Sequence, residues 1–340
     1  MYAVIVGATG LAGQELVKLI LDRRFIDPHT EGFMLYASDR SVGTCIAHAG
    51  VSFLTAPMVN DMFVGVDVAF FAVDSKVARA LAPKALGAGA IVIDKSSAFR
   101  MDEDVPLVIP EINPQALEGH KGLIASPNCS TTIMLMGLFP LHRQFGLKRV
   151  TVSTYQSISG GGNGLVASYN AEIISIFGPF SNIPDPGELP DVPHFNNVVP
   201  HIDSFDEDGF TGEETKMVAE SRKILGMPNL PIVATCVRVP VTRGHSMSVN
   251  AEFESPVDVE SARQAILRFS HETGGAVGLV DGHVAGAYPM PSQIAHKNHC
   301  EVGRIRKDPT CKNGLVLFIS GDNLWKGAAL NALQIAEHIT

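Results

Sequence analysis

Cys129 stands in the run Ser126-Pro127-Asn128-Cys129-Ser130-Thr131-Thr132, between an apolar stretch, Leu123–Ala125, and a helical pattern over about Thr131–Phe145. A cysteine at a helix N-terminus meets the positive end of the helix dipole, which favours thiolate over thiol and so suits a nucleophile. The competing reading is a small buried packing residue, as many free cysteines are. The other cysteines lack this setting: Cys236 falls in a predicted strand and Cys45 in an apolar patch. His245 opens a predicted strand just past Gly244, in Arg238-Val239-Pro240-Val241-Thr242-Arg243-Gly244-His245-Ser246. An imidazole there can face a cleft and exchange protons near neutrality. Arg100 ends Asp94-Lys95-Ser96-Ser97-Ala98-Phe99-Arg100, at the carboxyl end of a predicted strand where α/β sheets bind ligands. Glu213 and Lys216 lie three apart on a predicted helix and share a face, which an exposed ion pair on a solvated helix also explains. The run His296-Lys297-Asn298-His299-Cys300 has no second ligand pair at metal spacing, so no metal is expected.

A second chemistry sits at the start of the chain. Gly7, Gly10 and Gly13 form G-x-x-G-x-x-G between the apolar run Tyr2–Val6 and a helical pattern with Leu16, Leu19 and Ile20 on one face. Glycines at that spacing let the backbone turn tightly and approach a diphosphate, which the helix N-terminus stabilises. The next strand leads into Ser38-Asp39-Arg40-Ser41. Ser38, Arg40 and Ser41 suit a 2′-phosphate and favour NADP, whereas Asp39 keeps NAD open.

These residues need a scaffold, and the hydrophobic pattern supplies one. Phe33–Ala37, Val66–Ala72, Ala90–Ile93, Leu107–Ile109 and Leu123–Ala125 read as buried strands, with a helix over Val77–Leu86. Continuous apolar strands alternating with helices imply a parallel sheet covered on both faces. Past residue 130 the texture changes. Strands are expected at Arg149–Ser157, Ile232–Val239, His245–Phe253, Glu301–Arg306 and Leu315–Ser320, and helices at about Glu213–Leu225 and Val259–His271. Residues 178–200 hold six prolines and read as a long ordered loop, with Phe195, Val198 and Val199 to bury. The last element, Leu324–His338, reads as an amphipathic helix. The expected fold is α/β: a Rossmann-like doubly wound domain over 1–130, completed by the C-terminal helix at about 323–340, then an α+β catalytic and dimerisation domain over 131–322.

Composition narrows the function classes. At 340 residues, 46% hydrophobic and 18% charged, the chain suits two packed domains and not a disordered one. A formal charge of −9 argues against a nucleic-acid binder, which needs clustered Lys and Arg. No apolar run approaches the roughly 18 to 20 residues of a membrane span. Five cysteines without a CxxC pair, and an opening MYAVIVGATG without a basic leader, point to a reducing cytoplasm.

Taken together, GATGLAG, VIDKSSAFRMDEDVPLVIPEIN, SPNCST, VSTYQSISG, EETKMVAESRKILG, ATCVRVPVTRGHS and GDNLWKGAALNALQIAE resemble the aspartate-semialdehyde dehydrogenase family in order and spacing over nearly the whole chain. The resemblance implies that Cys129 is the nucleophile with Asn128 beside it, that His245 is the acid/base, and that Gln156 positions substrate. It implies Arg238 on the substrate carboxylate, Glu213 on its amine, and Arg100 and Lys216 on phosphate. It places cofactor contacts on Thr9, Gly10, Leu11, Ala12, Arg40, Ser41, Ser159, Gly160 and Asn323, beside Gly7, Gly13 and Ser38 from the spacing above. This chain has Val73-Asp74-Ser75-Lys76, Lys95 and Ser126 where the family often has a glycine-containing run, Asn and Asn. The implied reaction is reversible, NADPH-dependent reduction of L-4-aspartyl phosphate to L-aspartate 4-semialdehyde and inorganic phosphate, through a cysteine thioester. It belongs to lysine, methionine and threonine biosynthesis. A homodimer or homotetramer joined through the second domain's sheet is implied as well. Two readings stay beside it: N-acetyl-γ-glutamyl-phosphate reductase, and a non-catalytic NADP-binding sensor of the same fold.

Overall fold

The computed structural model describes residues 1–178 and 190–340, and these divide into two compact units. Unit 1 comprises Met1–Thr132, Glu220–Met227 and Leu324–Thr340; unit 2 comprises Ile133–Ala219 and Pro228–Asn323.

Unit 1 opens β1 (Tyr2–Val6), α1 (Leu11–Asp22), β2 (Gly32–Ala37), with a small hairpin β3 (Cys45–His48) and β4 (Val51–Leu54), then β5 (Ala56–Pro57). It continues β6 (Val68–Phe71), α2 (Ser75–Gly87), β7 (Ile91–Asp94), β8 (Leu123–Ala125), and α3 (Cys129–Phe145) begins in it. Its sheet runs β5-β2-β1-β6-β7-β8, with every pairing parallel. The chain steps from β1 to β2 on one side and returns to β6 on the other. The carboxyl ends of β1 and β6 are therefore the switch point at which such sheets open a crevice. β1 and β6 are buried almost throughout, as an apolar strand covered on both faces must be. Ile5, Leu16, Ile20, Leu35, Phe70 and Ile93 share one core with Leu330 and Leu333 from the end of the chain.

Unit 2 holds β9 (Leu147–Tyr155), α4 (Gly162–Phe177), α5 (Gly212–Leu225), β10 (Ile232–Thr235), β11 (His245–Phe253) and α6 (Val259–Glu272). β12 (Val277–Leu279), α7 (Pro291–Ile294), β13 (Cys300–Lys307) and β14 (Gly314–Gly321) follow. The last two turns of α5 belong to unit 1. The mixed sheet runs β10-β9-β11-β14-β13-β12. Its two faces differ: Val150, Val152, Met247, Val249 and Ala251 are buried, while Thr151, Ser153, Ser248 and Asn250 alternate with them on the more open face. The chain ends in α8 (Leu330–Ile339), part of unit 1.

Several expectations from the sequence need correction. Leu107–Ile109 is no strand; Leu107 makes one bridge to Ala125, because Pro106 and Pro110 on either side deny it a ladder. β10 stops at Thr235 instead of Val239, since the next amides leave the sheet for side chains: Cys236 N–H donates to Glu214 and Val237 N–H to Thr154 Oγ1. Cys236 thus lies just past a strand, and Cys45 is exposed on the hairpin rather than in an apolar patch. The C-terminal helix opens with a π-helical turn, Trp325–Ala329, that runs directly into α8, and Lys326 within it is wholly buried. α4 went unanticipated, because Gly162 and Gly164 at its start obscure the pattern that follows. Of the proline-rich stretch, 179–189 lie outside the described residues. Past them, Phe195 packs on Tyr169 and Phe177, and Val199 is buried, but Val198 is exposed.

Candidate active site

The glycine turn rests on the end of β2, whose Tyr36 carbonyl accepts both Gly7 N–H (2.9 Å) and Ala8 N–H (3.1 Å). Gly7 has φ +88°, and a Cβ there would sit 2.8 Å from a Val73 methyl. A Cβ on Gly13 would lie 2.8 Å from Ala8 Cα. Only glycine fits either place. Gly10 is the N-cap of α1 and brings no side-chain cap; the first turn, opening with Leu11 and Ala12, holds no acid. Thr9 is held through its carbonyl, which accepts Gln14 Nε2 at 2.9 Å. Amides at an uncapped helix start beside a turn that excludes side chains fit a dinucleotide diphosphate. Val6 pairs with Tyr36, so Ser38–Ser41 follows the neighbouring strand end. Ser38 and Arg40 are exposed there and Ser41 is half-buried.

Cys129 is the first residue of α3 and is partly exposed. Asn128 is the reason the helix starts there: its Oδ1 accepts Ser130 N–H (2.8 Å) and Thr131 N–H (3.3 Å). An asparagine cap of this kind is typically worth ~1 kcal/mol. Asn128 is thus a helix cap, whatever further part it plays. Arg100 lies in the same unit, 6% exposed, with Nη1 2.9 Å from Glu220.

In unit 2 the strand ends gather the remaining residues. β9 and β11 pair Tyr155 with Ser246, and β11 and β14 pair His245 with Gly321. Gln156 and Ser157 therefore follow one strand, His245 starts the next, and Asn323 lies two residues past the third. Arg238 comes alongside through its bridge to Gln156. A Cβ on Gly160 would lie 2.8 Å from Arg238 Nη1 and 3.1 Å from His245 Nε2, so the cationic and imidazole groups flank one backbone position.

The protonation of His245 follows from its partners. Ser157 N–H, which can only donate, lies 3.0 Å from His245 Nδ1. Nδ1 is then the acceptor, and the neutral ring carries its proton on Nε2. His245 is wholly buried, and burial followed by the Arg238 charge holds its pKa well below the ordinary histidine value. Asn323 braces the same corner: its Oδ1 accepts Gly244 N–H (2.9 Å) and Ser157 Oγ–H (3.1 Å), and its Nδ2 donates to Ser159 Oγ (3.1 Å). Gly244 has φ +91° and abuts Pro291, so the turn before His245 requires glycine.

Gln156 is buried between Thr154 and Glu213, donating to Glu213 Oε1 at 3.0 Å and accepting Thr154 Oγ1 at 3.0 Å. Glu213 is 6% exposed, not a solvated surface acid. Lys216 donates to Asp203 at 2.5 Å and lies 3.7 Å from Glu213. That ammonium holds the Asp203 carboxyl below its ordinary pKa. Arg238 donates from Nη1 to Ser157 O at 2.8 Å.

Sequence reasoning missed Ser157, Asp203 and Glu220. Glu220 carried a signal: Glu220 and Lys223 repeat the Glu213/Lys216 spacing seven residues on, along one helix face. Ser157 and Asp203 carried none, since a backbone amide contact and a loop carboxylate have no motif. Among the described residues no group of His, Cys, Asp and Glu could hold a metal ion, and no helix is long and apolar enough to cross a membrane.

Comparison with known proteins follows the same division. The family described as semialdehyde dehydrogenase, NAD binding domain, matches residues 2–120, and that described as semialdehyde dehydrogenase, dimerisation domain, matches 138–326. The chain is 41% identical over 343 residues to aspartate-semialdehyde dehydrogenase of Bacillus subtilis, covering 100% of this chain and 97% of the relative. It is 40% identical to that of Aquifex aeolicus, covering 98% and 96%. Aspartate semialdehyde dehydrogenase II of Vibrio cholerae, solved in complex with ASA, superposes with a TM-score of 0.88 at 34% identity, over 99% of this chain and 97% of that one.

Proposed function

Because the chain belongs to the aspartate-semialdehyde dehydrogenase family, we propose that it reduces L-4-aspartyl phosphate to L-aspartate 4-semialdehyde, reversibly and with NADPH. The observation that carries this reading is Cys129 at the first position of a capped helix, where the dipole favours negative charge. NADPH, when bound, supplies the hydride. Gly7, Thr9, Gly10, Leu11, Ala12 and Gly13 would hold its diphosphate, Ser38, Arg40 and Ser41 its 2′-phosphate, and Ser159, Gly160 and Asn323 its other end.

The chain's own residues do the rest. The Cys129 thiolate adds to the acyl carbon, phosphate leaves, and the acyl group remains on sulfur as a thioester. His245 is assigned to acid/base work at the carbonyl oxygen: its Nε2–H donates a hydrogen bond to that oxygen as charge develops, and as the C–S bond breaks the aldehyde leaves and the Cys129 thiolate is restored. Arg238 grips the substrate carboxylate with its planar fork and Glu213 meets the ammonium, while Gln156, fixed between Thr154 and Glu213, orients the chain. Arg100 and Lys216 are assigned to phosphate. By this reading residues 1–130 with the C-terminal helix bind cofactor and supply Cys129, and 131–322 carry the other catalytic residues and dimerisation. We place the enzyme in the cytoplasm as a homodimer or homotetramer.

Phosphate-dependent reduction of NADP⁺ by L-aspartate semialdehyde tests the activity directly. N-acetyl-glutamate semialdehyde, which lacks the ammonium, is expected to be a poor substrate because it leaves the Glu213 charge unpaired. Equal turnover of the two would overturn the pocket assignment, and no turnover of either would leave a dinucleotide-binding sensor.

A further inference from the structure

The two turns of α5 in unit 1 hold a feature that the chemistry above does not use. Arg100 is 6% exposed and Glu220 1%, and they form an ion pair at 2.9 Å. Buried charges are costly unless paired and fully hydrogen-bonded. This pair meets that condition by reaching into one turn. The other Glu220 oxygen accepts Asn128 N–H at 2.6 Å, and Arg100 Nε donates to Ser126 O at 2.9 Å. Both partners therefore grip the residues immediately before Cys129. Arg100 Nη2 donates to Lys95 O at 2.6 Å, which ties the pair to the end of β7. One helical turn beyond Glu220, Lys223 donates to Arg100 O, Asp102 O and Val105 O, each at 2.8 Å, so the loop bearing Arg100 is itself fixed.

We propose that Glu220 is a positioning residue for the nucleophile, its carboxylate bridging Arg100 and the Asn128 amide so that the Ser126–Cys129 turn holds one conformation. The inference rests on Cys129 being the nucleophile. A carboxylate suits the task because it accepts from a cation and an amide at once. Glutamine would turn one donor toward another donor and release the turn. The guanidinium assigned to phosphate is on this view also a structural strut, and the two duties share one side chain.

Glu220→Gln in the full-length protein, with iodoacetamide as the probe of Cys129, tests this. Misplacement of a reacting atom by about an ångström costs on the order of 10²-fold, so kcat is expected to fall by that factor. Alkylation of Cys129 without substrate should slow by at least about tenfold, while KM for the aldehyde and Kd for NADP stay within about threefold, since neither contact is touched. Glu220→Asp keeps the charge but draws it back by one methylene, and should fall between parent and Gln. It carries the test if the Gln variant does not fold. Parent-like kcat and alkylation in a folded variant would overturn the proposal. So would a loss confined to KM for phosphate, which would make Glu220 only a holder of Arg100. The underlying reading is tested separately. Should Cys129→Ser turn over like the parent, the nucleophile itself is wrong, whereas an inert Cys129→Ser beside a parent-like Glu220→Gln sinks only the role given to Glu220.

Discussion

Two turns carry the residues proposed to react, and their backbones are fastened differently. The turn before Cys129 is held by charge: a buried Arg100–Glu220 pair grips Ser126 O and the Asn128 amide. In the turn before His245 neutral groups hold the backbone and the ring, with Asn323 taking the Gly244 amide and Ser157 presenting N–H to Nδ1, while the Arg243 side chain pairs with buried Asp322 at 2.7 Å. In each case the fastening suits the charge state that the proposed chemistry calls for. A paired guanidinium and carboxylate can anchor a nucleophile's turn while adding no net charge of their own. A histidine that presents Nε2–H is fixed by an amide donor at Nδ1, and burial followed by the Arg238 charge holds its pKa well below the ordinary value.

Breaking the first turn's chemistry should have the largest effect. Cys129→Ser is expected to bind cofactor normally but lose roughly 10⁵-fold or more in kcat, as removal of a nucleophile does elsewhere, measured by NADPH formation at saturating aldehyde and phosphate. His245→Asn removes the proposed acid/base and should cost about 10²- to 10⁴-fold in kcat while leaving Cys129 open to alkylation. The same variant sharpens the charge argument through stability. With the folded pKa depressed below 6.5, the unfolded chain binds the proton more readily. The imidazole therefore lowers stability as pH falls below about 6.5 and has no effect above it. Denaturant unfolding of parent and variant at a series of pH values should show the variant losing less on the acid side.

Gly160→Ala is a smaller insult, felt at His245 and Arg238 and at the end of the cofactor assigned to Gly160. Its methyl would stand 2.8 Å from Arg238 Nη1 and 3.0 Å from His245 Cε1, so both must move. A loss of up to about 10²-fold in kcat/KM is expected, with Cys129 alkylation unchanged. Arg40→Ala touches neither turn and sets the floor. It should weaken NADP by roughly 10- to 150-fold in isothermal titration, through one charge-assisted contact, and spare NAD. Equal weakening of both cofactors would show that Arg40 does not read the phosphate.

The parallel sheet was legible because its strands are continuous apolar runs, and β11 was delimited correctly by Gly244 and the alternation from His245 to Phe253. The start of α3 was read two residues late, since the capping by Asn128 is a side-chain event that periodicity does not record. Roles that depend on local motif, such as the glycine turn, were visible in the residues alone. Roles that depend on distant segments meeting were not. Glu220 lies 92 positions from Asn128 and Asn323 lies 79 from Gly244, and no spacing rule joins either pair. The buried Lys326 was equally hidden, because its partners Glu111 and Gln334 meet it only in the folded unit.

The central claim is that Cys129 carries the acyl group. Mixing the parent with L-aspartate semialdehyde and NADP⁺ in the absence of phosphate isolates that step, since the thioester then has no efficient acceptor. Rapid quenching and peptide mass mapping should find a near-stoichiometric aspartyl adduct on the Cys129 peptide, matched by a burst of NADPH equal to the enzyme concentration. The peptides of Cys45, Cys236, Cys300 and Cys311 should carry none. An NADPH burst with no adduct on Cys129, or with the adduct on another residue, would contradict the account.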